Sequence, residues 1–94
     1  MFVSFATCNR REALSFLQKA CPADGIEDTA NSASPVLDLV EKDILRVQDP
    51  MMHGSRIAII AGKQHGAQHN DEVQSAIKVL TDHLANAKKQ REAA

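Results

Sequence analysis

The sequence predicts an α+β domain, with three helices at about 10–21, 35–48 and 71–89 and a two-stranded sheet at about 2–7 and 56–61. Three observations lead there. Apolar residues recur at helical spacing in three stretches, each opened by a capping residue and two of them closed by proline. The run Arg56 to Ala61 (Arg-Ile-Ala-Ile-Ile-Ala) is short and β-branched between Gly54 and Gly62, which reads as a buried strand. Finally, 94 residues with 44% apolar and 24% charged side chains suit one globular domain, 1–94, because the chain is too short for two cores.

Residues 2–7 place Val3 and Phe5 on one face and form the partner strand; if they are only a lead into the first helix, the fold is mainly α. Asn9 caps the helix at 10–21, and Glu12, three residues on, can return a bond to the cap. Ala13, Leu14, Phe16, Leu17, Ala20 and Cys21 then share an arc of about 160°, and Pro22 ends the helix. Residues 22–34 are polar around a lone Ile26, a connection longer than most, and so either mobile or a contact surface.

Ser34-Pro35 reads as N-cap and first helical residue of the second helix. Val36, Leu37, Leu39, Val40, Ile44 and Val47 share its apolar face, and Asp49-Pro50 stops it near Gln48. Two residues break this pattern: Asp43 falls inside the apolar arc and Leu45 on the charged side. Asn70 caps the third helix, with Asp71 and Glu72 suiting its positive end. Val73, Ile77, Leu80, Leu84 and Ala87 form a stripe only about 100° wide, a seam of the kind that meets another helix. Val79 lies off the seam, and the tail 90–94 is expected to fray.

Composition narrows the function classes. Eleven basic residues against twelve acidic give net −1, which disfavours binding to nucleic acid or to an anionic membrane surface. The basic clusters, Arg10-Arg11 and Lys88, Lys89, Arg91, have no aromatics between them on which bases would stack. No apolar run reaches the roughly 18 residues of a membrane span. Met1 to Cys8 is apolar for too short a stretch, and its basic pair follows rather than precedes it, the reverse of a secretory signal. Cys8 and Cys21 flank the first helix, about 18 Å apart at 1.5 Å per residue, beyond the reach of one disulfide. Two reduced thiols fit a cytoplasmic protein.

Candidate chemistry is sparse. Gly62-Lys63-Gln64-His65-Gly66-Ala67-Gln68-His69 joins the second strand to the third helix, the setting of phosphate-binding loops, but neither G-x-G-x-x-G nor a closing Gly-Lys-Ser/Thr is present. His65 and His69, with His53 upstream, could ligate a metal, yet Gly66 between them argues against the helix that would align them. Cys8, beside Arg10 and Arg11 before a helix N-terminus, is the candidate reactive thiol, whereas Cys21 belongs on the apolar face. No catalytic set and no cofactor are called for.

Surplus apolar surface is the better functional clue. Two short strands leave free edges, and the narrow seam, with Leu45 and Val79 off their faces, exceeds what one small core uses. The sequence thus points to a regulatory or adaptor protein acting by self-association, as a homodimer, or by docking on another protein. Its interface would draw on Leu45, Val73, Ile77, Val79, Leu80 and Leu84. The alternative is an enzyme or metal-binding accessory protein working through residues 62–72.

Overall fold

The computed structural model describes residues 6–53 and 57–93, and only the backbone of Met52 and His53. The class is α+β, as the sequence predicts, with one more strand than expected. Strand β1 (Ala6–Thr7) leads into helix α1 (Arg10–Ala20), helix α2 (Ser34–Glu41), strand β2 (Leu45–Gln48) and the single turn α3 (Pro50–His53). Strand β3 (Ile59–Ala61), a 3₁₀ turn at Ala67–His69 and the long helix α4 (Asn70–Ala93) complete the chain. The expected strand residues 2–5 and Arg56 lie outside the described residues.

The sheet is antiparallel with order β1-β2-β3. The two expected strands therefore do not pair with each other; each pairs with β2, whose residues the helical reading had assigned to the end of the second helix. The reason is the turn that ends α2. Asp43 adopts a left-handed backbone (φ 57°). The Asp43 N–H donates to the Val40 carbonyl at 2.9 Å and the Ile44 N–H to the Leu39 carbonyl at 3.0 Å. This is the Schellman pattern, with the apolar pair Leu39 and Ile44, both buried, closing it. The two residues that broke the helical pattern thus mark its end. Beyond the turn the burial period becomes two, with Leu45 and Val47 buried and Arg46 and Gln48 half-buried on the other face.

Helices α1 and α2 pack on the inner face of β2, and α4 lies against α2. The core is aliphatic: Leu17, Val36, Leu37, Val40 and Val47 are almost wholly buried, with Ala13, Ile26, Ile44, Leu45, Ala76 and Leu80 around them. Among the described residues Phe16 is the one aromatic packed against it, at its margin, so the core depends on close aliphatic packing, and truncating one such leucine costs about 2–5 kcal/mol.

The helix starts differ in detail from expectation. Asn9 Oδ1 accepts from the Glu12 N–H at 3.0 Å, but the return bond is replaced: the Asn9 N–H donates to Thr7 Oγ1 at 3.0 Å. Helix α2 begins one residue early, at Ser34, with Ala33 as its cap and no side-chain cap bond. The Ser34 hydroxyl is taken up elsewhere, by Arg10.

The connection before α2 is closed on itself rather than loose. Ile26 is buried, its carbonyl accepts from Gln18 Nε2 at 2.9 Å, and buried Ser32 accepts the Glu27 N–H at 3.1 Å. At the far end, residues 90–93 continue the helix, and Arg91 forms an ion pair with Asp24.

Gly62 lies so close to the Asp43 turn that a Cβ would overlap the Asp43 carbonyl and come within 2.7 Å of its carboxylate. Gly62→Ala should lower stability by about 1–3 kcal/mol through overpacking. Gly25→Ala, where φ is +62° but nothing lies within 4 Å, should cost only the left-handed backbone, about 1 kcal/mol. Urea unfolding of both variants, compared with the unaltered chain, checks the ordering.

Candidate functional site

The structure separates the residues the sequence assigns to an interface. Leu45 and Leu80 are both buried in the chain's own core, and Leu80 reaches the surface only as part of a groove lining. Leu45 is there because it lies on β2 rather than on a helix, and Leu80 because the α4 seam faces α2. Val73 and Leu84 are partly buried against the same core, and Val79 lines a crevice beside Asp24, Asn31 and His83. Ile77 alone of the six is exposed, at 37%.

What remains open is a shallow apolar groove of about 300 Å³ between β3 and α4. Ile57 and Ile59 form one wall, and Ile77, Leu80, Thr81 and Leu84 form the other. Sheet register explains why the isoleucines face it: Ile59 stands opposite buried Val47, so its side chain is on the helix-covered face. Sequence reasoning missed Ile57 and Ile59 as surface residues because an Ile-rich run reads as fully buried. Their half-exposure follows from the place of β3 at the sheet margin, which a period cannot reveal.

Among the described residues the edge beside this groove has no partner strand. The Gln48 N–H donates to the Ala58 carbonyl and the Gly62 N–H to the Ile44 carbonyl, both at 2.9 Å. Residues 58, 60 and 62 therefore point their backbone groups at β2, and by antiparallel alternation those of Ile59 and Ala61 point away from it. Among the described residues no strand meets that side.

Residues 62–69 wrap around the Asp43 turn. The Gln64 N–H donates to the Asp43 carbonyl at 2.8 Å, and His65 Nδ1 lies 3.3 Å from the Ile44 carbonyl, to which it donates when protonated. Arg46 grips the Asp43 carboxylate with two bonds, at 2.7 and 2.9 Å. Arg46, with help from the Lys63 backbone N–H, holds the Asp43 carboxyl below its ordinary range. His69 Nδ1 is buried 3.8 Å from Glu72 Oε1, beyond hydrogen-bond reach, and makes no hydrogen bond among the described residues. Among the described residues no three His, Cys, Asp or Glu side chains converge as a metal shell would require. The side chain of His53 lies outside the described residues.

Cys8 is exposed and Cys21 half-buried, both as free thiols at opposite ends of α1. Cys8 borders an open pocket with Asn9, Arg10, Arg11, Leu14, Asp28 and Glu41. Its cationic neighbour Arg10 is fully engaged. The guanidinium takes Asp28 bidentately at 2.7 and 2.6 Å, Asp38 at 2.6 Å, Glu41 at 2.5 Å and Ser34 Oγ at 3.0 Å. The Arg10 hydrogen bonds hold the Asp28 carboxyl below its ordinary range. One basic cluster is thus partly neutralised by Arg10's acids, and in the other Arg91 is paired with Asp24.

Searches of protein-family models, curated proteins and solved structures return no match to this chain.

Asp28 has a lowered folded pKa, so its contribution to stability is complete above the ordinary carboxylate pKa and is lost as pH falls through the lower folded value. Thermal melts should show the midpoint falling as the buffer is taken below about pH 4. Arg10→Gln should be less stable at neutral pH and should flatten that fall; an unchanged slope would remove Arg10 from the acid response.

Proposed function

We propose that the protein is a small interaction or regulatory domain, with no chemistry of its own, that works by presenting the β3–α4 groove to another protein chain. The observation that carries this reading is the groove itself: Ile57, Ile59, Ile77 and Leu84 border a concave apolar strip beside a strand edge that no described residue pairs. Scattered apolar residues on a surface mean little, but a contiguous apolar strip with free backbone donors and acceptors is what strand addition uses. No helix among the described residues is long and apolar enough to cross a membrane. The two separated free thiols support a cytoplasmic setting. The pairing of Arg10 and Arg91 with acids supports a protein partner over a nucleic acid.

The alternative, a metal-binding or enzymatic role for residues 62–72, has weaker support. His65 Nδ1 lies against a backbone carbonyl, and only Glu72, 3.8 Å away, approaches His69 Nδ1 among the described acidic side chains. Metal analysis of untagged protein should find no stoichiometric metal, and replacing His65 and His69 together by Ala should leave partner binding intact. A stoichiometric metal lost in that double variant would favour the alternative.

Ile77 gives the direct test of the groove. Its exposure means that Ile77→Asp should leave the circular dichroism spectrum intact while weakening association about tenfold or more, whether with a second copy or with a foreign protein. Sedimentation reads the first and pull-down the second. Undiminished association in both would remove the groove from function.

A further inference from the structure

We infer that the junction of Asp24 and Gly25 is a site of spontaneous backbone modification, the conversion of Asp24 to isoaspartate, and that the far half of α4 guards it. The chemistry needs no partner molecule but water. The Gly25 amide nitrogen attacks the side-chain carboxyl carbon of Asp24 in its protonated form. A C–N bond forms, and the carboxyl OH leaves with the amide proton as water. A second water then opens the resulting cyclic imide at either carbonyl. One opening restores aspartate; the other routes the main chain through the side-chain carboxyl, lengthening it by a methylene.

The sequence offers a single junction of this kind. A side chain on the residue that supplies the nitrogen hinders ring closure, and glycine has none. Of the four glycines, only Gly25 follows an aspartate, and none follows an asparagine. The surroundings leave room for the ring. Gly25 has φ +62°, and nothing lies within 4 Å of where its Cβ would be. Both residues line an open crevice of about 660 Å³, shared with Asn31 and with Asp82, His83 and Asn86 of α4, so water for the second step has access.

What opposes closure is α4. Arg91 forms an ion pair with the Asp24 carboxylate and so holds the carbon to be attacked against the helix. His83 Nε2 donates to the Asp24 carbonyl oxygen at 2.8 Å. That oxygen and the Gly25 nitrogen belong to one planar peptide unit, so fixing the first fixes the second. Electrophile and nucleophile are thus held by two residues about two turns apart on one helix. The Asp24 N–H, which donates to the Cys21 carbonyl at 3.2 Å, ties the residue to the end of α1 as well. Asp24 therefore reacts only when the end of α4 lifts, and the rate follows the open fraction of that end. With the chain lengthened, carboxylate and carbonyl no longer meet Arg91 and His83 together, and the opening is not reversed.

The test is to incubate the full chain at neutral pH and measure isoaspartate at residue 24 by enzymatic methylation of its digested peptides. Isoaspartate should form readily in urea and slowly in the folded chain. Arg91→Gln and His83→Ala should each raise the folded rate by about fivefold, the scale of one half-exposed contact. Gly62→Ala, which destabilises the fold at the Asp43 turn rather than at the end of α4, should leave the rate unchanged. Absence of isoaspartate at residue 24 even in urea would overturn the site. A folded rate equal to that in urea, unmoved by both α4 variants, or raised as much by Gly62→Ala, would overturn the guard.

Discussion

The turn at residues 42–44 decides where everything else goes. Without the left-handed conformation of Asp43, α2 would run on into the apolar residues that follow, and there would be no central strand for β1 and β3 to join. Left-handed backbone is unfavourable for any residue with a Cβ, by about 1–2 kcal/mol, and the surroundings compensate. The Schellman bonds, Arg46 on the carboxylate, and the Lys63 and Gln64 amides all converge on Asp43. Gly62 is required because the returning chain passes against that turn with no room for a side chain. One short segment therefore ends a helix, starts the sheet's middle strand, and fixes the loop that launches α4.

A second tie holds the helical layer together. Arg10, at the start of α1, gathers Asp28 from the connecting loop and Asp38 and Glu41 from α2. Exposed ion pairs contribute little singly, but one guanidinium bonded to three carboxylates and a hydroxyl is a network with defined geometry. At the other end, Arg91 and His83 both reach Asp24, which draws the far half of α4 onto the same loop. The loop that looks featureless in sequence is thereby held at both ends, with Ile26 as its plug.

Much of this was legible in the residues and some was not, for identifiable reasons. Asn9 and Pro22 bound α1 correctly, because capping and proline effects are local. The extent of α2 was misjudged because Ile44 and Val47 happen to continue its helical stripe. The clash of Asp43 and Leu45 with that stripe was the available signal. The α4 stripe was read as a seam for another helix, and it is one, but the other helix is α2 of the same chain. Its narrowness reflects packing mainly against α2, and the turns beyond Leu84 run on through exposed residues to Ala93. Ile57 and Ile59 could be recognised as a binding edge only once β2 was known to lie on one side of β3 and nothing described on the other.

We propose that the short strand placed by the Asp43 turn is a docking edge whose apolar groove is completed by α4. Amide hydrogen exchange measured across a dilution series tests this most directly, because it reads the edge residue by residue without altering the sequence. The account predicts that the Ile60 amide, bonded to β2, is protected at every concentration, while those of Ile59 and Ala61 gain protection only as concentration rises. Exchange at Ile59 and Ala61 that stays fast both at the highest concentration and with a captured foreign protein added would contradict it.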